Sequence, residues 1–146
     1  MKVGVACDHN GIELKSKIIK YLKSCKYEAV DFGPFKYDAL DDYPDYAFSV
    51  GEAIRDGKIN FGILICGTGI GMSIACNKVR GVRCAHVSTI KETRLTRIDN
   101  DSNVIAISKD INFDRLKRII DTFLTTDFSL EERHNRRVNK IKKYEC

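Results

Sequence analysis

Residues 61–75 leave the chain few ways to fold. An apolar run, Phe61-Gly62-Ile63-Leu64-Ile65, stops at Cys66 and breaks into glycines at 67, 69 and 71. The run is short, continuous and rich in β-branched residues, which fits a strand covered on both faces within a parallel sheet. The alternating glycines let the chain turn sharply into a helix starting near Met72. Cys66 then stands at the carboxyl end of a strand, the edge at which open α/β sheets bind ligands, and the helix points unpaired N–H groups and its positive dipole end back at the loop. An anion or enolate held there would be stabilised.

The same unit recurs along the chain. Lys2–Ala6 reads as a strand, Cys7-Asp8-His9-Asn10-Gly11 as a polar loop, and Ile12, Leu14, Ile18, Ile19 and Leu22 as the apolar face of a helix. Glu28–Asp31 is a second strand, followed by a loop from Phe32 to Pro44 that holds both prolines, then a helix from about Asp45 to Arg55 closed by Asp56-Gly57-Lys58. After the central unit, whose helix ends around Asn77–Gly81, come a strand at Val82–Val87, a helix at Ser88–Arg97, a strand at Val104–Ile107 and a helix at Phe113–Thr125. Such alternation, with right-handed crossovers, gives an α/β fold: a Rossmann-like, doubly wound, five-stranded parallel sheet. Leu130–Tyr144 remains as an extra C-terminal helix, charged nearly all round, with only Leu130, Val138, Ile141 and Tyr144 apolar. It is expected to lie across a partner rather than in its own core, which argues for a dimer.

At 146 residues, 43% hydrophobic and 31% charged, the chain suits one domain, 1–146, with a real core. It starts Met1-Lys2-Val3-Gly4-Val5-Ala6 with no long apolar leader, and no run approaches membrane-spanning length, so a cytoplasmic protein without membrane contact is expected. The six cysteines, 7, 25, 66, 76, 84 and 146, form neither a C-x-x-C pair nor a zinc spacing, so reduced thiols and no metal are expected. The formal net charge is +5, and Glu131–Lys143 alone holds three arginines and three lysines against two glutamates. No aromatic stacking pattern accompanies this basic tail, so a phosphate on a small substrate fits at least as well as nucleic acid, and no nucleic-acid partner is expected.

The glycine loop is not a dinucleotide fingerprint, because its third spacing is wrong and it follows the third strand. Nor is it a Walker loop, because no Gly-Lys-Ser/Thr follows; nucleotide cofactors are disfavoured. It does place a thiol of reference pKa about 8.5 beside backbone donors and the Thr68 hydroxyl. Cys66 could serve as a nucleophile, or as a base that takes a proton from carbon while amides hold the oxyanion, or it could be a buried structural thiol. Asp8 and His9 end the first strand, so they are expected to face the same crevice, unless Asp8 merely caps the next helix. His86 reads as a packed strand histidine and His134 as an exposed one. Arg133 and Arg137, spaced i, i+4, present two guanidinium forks on one helix face, suited to a phosphate dianion or simply to solvent.

Taken together, Cys7-Asp8-His9, Asp42-Tyr43-Pro44, Ile65-Cys66-Gly67-Thr68-Gly69-Ile70-Gly71 with Ala75 and Asn77-Lys78, Asn100-Asp101-x-Asn103-Val104 and Glu132-Arg133-His134-x-x-Arg137 resemble the type B ribose-5-phosphate isomerases, the family that also holds the galactose-6-phosphate isomerase subunits. The resemblance covers essentially the whole chain. It implies a cofactor-free interconversion of ribose 5-phosphate and ribulose 5-phosphate through a cis-enediolate, a step of the pentose phosphate pathway. Cys66 would move the proton between C2 and C1, Thr68 would shuttle protons among the sugar oxygens, and the amides of Gly67 to Gly71, including Gly69, would hold the negative charge. His9, Arg133 and Arg137 would bind the phosphate, Asp8, Tyr43 and Asn100 would position the sugar, and a homodimer or tetramer would complete each site from a second subunit. Two positions depart from the pattern. Asp99 stands where the family usually has the histidine thought to open the furanose ring, and Asp110, beside Lys109, stands where many members have a phosphate-reaching arginine. An aspartate of reference pKa about 3.9 accepts protons at neutral pH but donates them poorly, whereas histidine near 6.5 does both. Ring opening would then be slower or fall to Asp8 or His86. The alternatives are an isomerase for allose 6-phosphate or galactose 6-phosphate, or a sugar-phosphate-binding protein with impaired turnover.

Overall fold

The computed structural model describes residues 1–145; Cys146 lies outside them. The strands are β1 (Lys2–Cys7), β2 (Glu28–Asp31), β3 (Phe61–Cys66), β4 (Cys84–His86) and β5 (Val104–Ser108), and the helices α1 (Ile12–Ser24), α2 (Tyr43–Arg55), α3 (Ile70–Cys76), α4 (Ile90–Asn100), α5 (Phe113–Thr125) and α6 (Glu132–Tyr144). Every pairing is parallel, as the alternation of elements predicts, and the strands lie in the order β2-β1-β3-β5-β4.

Side chains of period two divide the strands between two layers. Val3, Val5, Cys7, Ile63, Ile65, Ile105 and Ile107 face α1 and α5, where Ile18, Leu22, Leu116, Ile119, Ile120 and Phe123 are fully buried. Leu64, Cys66, Val104 and Ala106 face α2 and α3 through Ala47, Val50, Met72 and Ala75. Each fully buried Leu, Ile or Phe contributes about 1.5–3 kcal/mol over leaving it exposed, so both layers hold the sheet firmly. The chain runs outward from β1 to β2, then returns through α2 to place β3 on the other side of β1. The order of winding therefore reverses between β1 and β3, and a crevice opens outside their carboxyl ends.

Several boundaries differ from the sequence expectation, for local reasons. α2 begins at Tyr43 rather than Asp45, because Pro44 sits in its first turn, where proline's missing N–H costs nothing. α3 begins at Ile70 rather than Met72, directly after the left-handed Gly69. β4 keeps only Cys84–His86 of the run 82–87, since as an edge strand it pairs with β5 alone. α4 runs on from Arg97 to Asn100, ending at Asp101 in a left-handed conformation. α6 starts at Glu132 rather than Leu130, whose φ is 58°. It does bury part of itself against its own chain, through His134 and Val138 beside α4, contrary to the expectation from its composition.

Candidate active site

Strand register assembles the site. Cys7 pairs with Ile65 across β1 and β3, so Asp8 stands level with Cys66, and the Asp8 N–H continues the ladder onto the Ile65 carbonyl at 3.1 Å. On the other side Cys66 pairs with Ser108. Three strand ends thus bring Asp8, Cys66 and Ser108 into one row at the carboxyl edge.

The Cys66 side chain is only 5% exposed, and its sulfur accepts a hydrogen bond from the Gly69 N–H at 3.1 Å. The bond depends on glycine at 69: φ is 85°, and a Cβ there would lie 2.8 Å from the Ile107 carbonyl carbon and 2.9 Å from His86 Cδ2. Thr68 is exposed, its Oγ1 accepting from the Ile70 N–H at 3.2 Å. Two of the amides expected to face an anion, those of residues 69 and 70, are therefore engaged within the loop. The loop is braced from outside by Ser108 Oγ, which donates to the Gly67 carbonyl at 2.9 Å, by the Lys109 N–H on the Cys66 carbonyl at 2.9 Å, and by His86 Nε2, 2.9 Å from the Thr68 carbonyl. His86 is thus exposed at the end of β4 rather than packed in its strand. Tyr43 lies across the loop, its ring where a Cβ on Gly71 would be only 2.7 Å away.

Asp8 is buried, with Oδ1 accepting from the Asn10 N–H at 2.9 Å and Oδ2 from Asn10 Nδ2 at 3.2 Å. It shapes the turn rather than capping α1, whose N-cap is Gly11. His9 meets Asp41, Nδ1 to Oδ1 at 2.6 Å, and edges onto the Tyr37 ring at 5.9 Å. This hydrogen bond, before any other influence, raises the pKa of His9 above its usual value. Cys7, one residue upstream, is inert by contrast, its thiol pushed up to about 12 chiefly by burial.

Asp99, Asn100, Arg133 and Arg137 do not join this group within one chain. α4 runs back against the strands, so its last residues reach the amino edge of the sheet, where Arg97 lies over Phe61 at 5.2 Å and the Gly62 N–H meets the Asn103 carbonyl. A five-residue strand, about 16 Å, separates that edge from Ser108. Asp99 Oδ1 is 3.6 Å from His134 Nδ1, which also meets Ser129 Oγ at 2.9 Å; His134 is buried, not exposed as its arginine neighbours suggest. Asn100 lines a groove of about 840 Å³ with Lys78, Arg80, Lys140 and Tyr144. Arg133 and Arg137 are exposed on α6. Asp101 and Asn103 hold the fold: Asp101 pairs with Arg83 and Arg97 at 3.0 and 2.9 Å, and Asn103 bridges Arg83 N–H and the Gly81 carbonyl. Asp110 takes Lys109 Nζ at 2.9 Å.

Asp41, Ser108 and the loop-bracing role of His86 escaped sequence reasoning. The signal for Asp41 was an acidic loop, Asp38 to Asp42, whose path back to His9 only the tertiary fold specifies. Among the described residues no group of three His, Cys, Asp or Glu side chains is placed to hold a metal ion, and no helix is long and apolar enough to cross a membrane. Cys7, Cys25, Cys66, Cys76 and Cys84 carry free thiols.

A parallel α/β sheet with a thiol, an imidazole and a glycine loop at its switch point belongs to the class of folds whose carboxyl edge suits a small ligand. Residues 3–141 match the sequence profile of the Ribose/Galactose Isomerase family, and the chain belongs to that family. Within it, the affiliation is to the type B ribose-5-phosphate isomerases. The chain is 38% identical to ribose-5-phosphate isomerase B of Escherichia coli over 141 residues, covering 96% of this chain and 93% of that one. It superimposes on ribose-5-phosphate isomerase B of Clostridium thermocellum with a TM-score of 0.94 at 41% identity, over 99% and 97% of the two chains. The enzyme of Mycoplasma genitalium, solved with bound ribulose-5-phosphate, matches with a TM-score of 0.93 at 40% identity, over 99% and 95%.

Proposed function

We propose that the chain is a cytoplasmic, single-domain sugar-phosphate isomerase that interconverts ribose 5-phosphate and ribulose 5-phosphate without a cofactor, Cys66 serving as the base. The observation that carries this reading is the Cys66 sulfur, at the carboxyl end of the central strand, held by the Gly69 N–H at 3.1 Å beside a loop of backbone donors. As thiolate, Cys66 takes the proton from C2 of the open-chain aldose. The electron pair moves into a C1–C2 double bond, the negative charge falls on the C1 oxygen, and the same sulfur returns the proton to C1. Donors of the 67–71 loop stabilise the charged oxygen, an interaction stronger in the transition state than in the ground state. Thr68, exposed beside them, moves the proton between the two oxygens. His9 binds the phosphate, and Asp8 and Tyr43 border the sugar.

The protein works as a homodimer in which a second copy supplies Asp99, Asn100, Arg133 and Arg137 to each crevice. The support is that these residues lie at the opposite edge of their own sheet, and that α3, next to the crevice, exposes Ile70 and Ile74 by 52% and 58% on adjacent turns. Asp99 accepts the proton of the C1 hydroxyl as the C1–O4 bond breaks and the C1 carbonyl forms, and the ring oxygen takes a proton from water.

The deciding experiment follows interconversion in both directions for wild type and Cys66→Ala. Turnover lost on substitution, by at least about 10²-fold, supports the base. Turnover retained by Cys66→Ala refutes it. A wild type with no turnover, but with ligand-induced thermal stabilisation, would make the chain a binding protein instead. For the shared site, mixing inactive Cys66→Ala with inactive Arg137→Ala subunits would restore part of the activity; two sites complete within single chains would restore none.

A further inference from the structure

Asp41 is a buried charged side chain near the crevice to which the proposed chemistry gives no task. Its side chain is 4% exposed, Oδ1 holds His9 Nδ1 at 2.6 Å, and Oδ2 is buried with no hydrogen-bond partner among the described residues. A buried carboxylate with one oxygen unpaired is costly unless a cation compensates it. Among the described residues the ring of His9 is held at hydrogen-bond distance by Asp41, with Tyr46 also turned toward the carboxylate, and the His9 ring retains a second nitrogen, Nε2, with no partner among the described residues.

We propose that Asp41 is a positioning residue for substrate phosphate: it fixes the His9 ring through Nδ1 and leaves Nε2–H as the donor that grips the phosphate. The inference rests on the reading of His9 as a phosphate ligand. The groups that face His9 are Asp41 and Asp38 from the 32–42 loop and Asp8 from its own loop, all acidic, with the Tyr37 ring at its edge. Tyr46, on α2, faces the Asp41 carboxylate from behind. His9 therefore stands between three carboxylates and an incoming dianion. Neutral, it would leave their repulsion uncompensated; protonated, it reverses the local field and supplies a charge-assisted hydrogen bond. The raised pKa of His9, due first to the Asp41 hydrogen bond, accords with that geometry.

The test compares Asp41→Asn, which keeps size and can still accept from Nδ1–H, with Asp41→Ala and His9→Asn. KM and kcat for ribose 5-phosphate and the inhibition constant of inorganic phosphate are measured from pH 5.5 to 9. For Asp41→Asn the inference expects KM and the phosphate constant to rise about tenfold near neutral pH, kcat to change less than about threefold, and the alkaline loss of affinity to move to lower pH. His9 ring nitrogen resonances should show titration at lower pH, a change that a merely structural role of Asp41 would not produce. In the His9→Asn background, Asp41→Asn should add no further loss. If Asp41→Asn has wild-type KM and pH profile while His9→Asn is impaired, the positioning role is overturned but the phosphate role of His9 stands. If His9→Asn itself binds phosphate normally, the underlying reading fails. Thermal unfolding of each variant, together with the unchanged kcat, separates these outcomes from loss of fold.

Discussion

Replacing Gly69 by alanine should damage this protein more than the same change two residues earlier, and the size of the difference follows from the loop's geometry. At 69 the backbone is left-handed, with φ of 85°, which costs an alanine about 1–2 kcal/mol. The new methyl would also meet the Ile107 backbone at 2.8 and 3.0 Å and His86 at 2.9 Å. The His86 ring can swing aside, but a strand backbone buried between two helical layers cannot, so overpacking adds about 1–3 kcal/mol. Together about 2–5 kcal/mol is lost. In a chain of this size that lowers Tm by about 4–20 °C. At Gly67 a Cβ would meet nothing within 4 Å and no positive φ applies, so Gly67→Ala should lie within about 1 kcal/mol of wild type. Chemical denaturation in guanidinium chloride, read by circular dichroism, gives both values. A Gly69→Ala protein within about 1 kcal/mol of wild type, or a Gly67→Ala protein equally damaged, would refute the reasoning.

Four further outcomes are expected. Iodoacetamide at pH 8 should label exposed Cys25 but not Cys7, because a thiol titrating at about 12 is ionised to roughly one part in ten thousand there; peptide mass spectrometry showing equal labelling would contradict the burial of Cys7. Glu92 closes a capping box with Thr89, and donors from Ser88 foremost hold its carboxyl below the usual range. A group depressed in the folded state stabilises above its unfolded pKa, about 4.5, and loses that contribution as pH falls through the folded one, so Glu92→Gln should destabilise at pH 7 and progressively less as the pH is lowered below about 4.5. Thr89→Ala should cost about 1 kcal/mol; urea unfolding of both variants, at pH 7 and at lower pH, checks these two expectations. Finally, Arg97→Ala should cost about 1–3 kcal/mol for each carbonyl it orphans, those of Ser102 and Thr126, by thermal and denaturant unfolding, while Asp101 keeps Arg83 as its partner.

The long sequence of alternating strands and helices was legible because each element carries its own period: two-sided apolar runs at Phe61–Cys66 and Val104–Ser108, and an apolar face on α5 that buries Leu116, Ile119, Ile120, Phe123 and Leu124. The row at the carboxyl edge was legible for the same reason. Parallel strands of similar length end together, so Asp8 and Cys66 had to be neighbours once both were recognised as strand ends. What periodicity does not encode is the spatial order of strands. Inserting β5 between β3 and β4 is decided by how the helices pack on the two faces, and it places Ser108, not His86, beside Cys66. Contacts across long loops were equally beyond local pattern. The Asp41–His9 pair spans 32 residues, and the burial of His134 depends on α6 folding back onto α4. Local pattern is enough to specify a parallel α/β sheet carrying a thiol at its central strand end. That Asp99 and Asn100 sit away from that thiol is a matter of tertiary folding, because α4 must run back to the opposite edge before β5 can begin, and Arg133 and Arg137 follow because α6 folds onto α4 through His134.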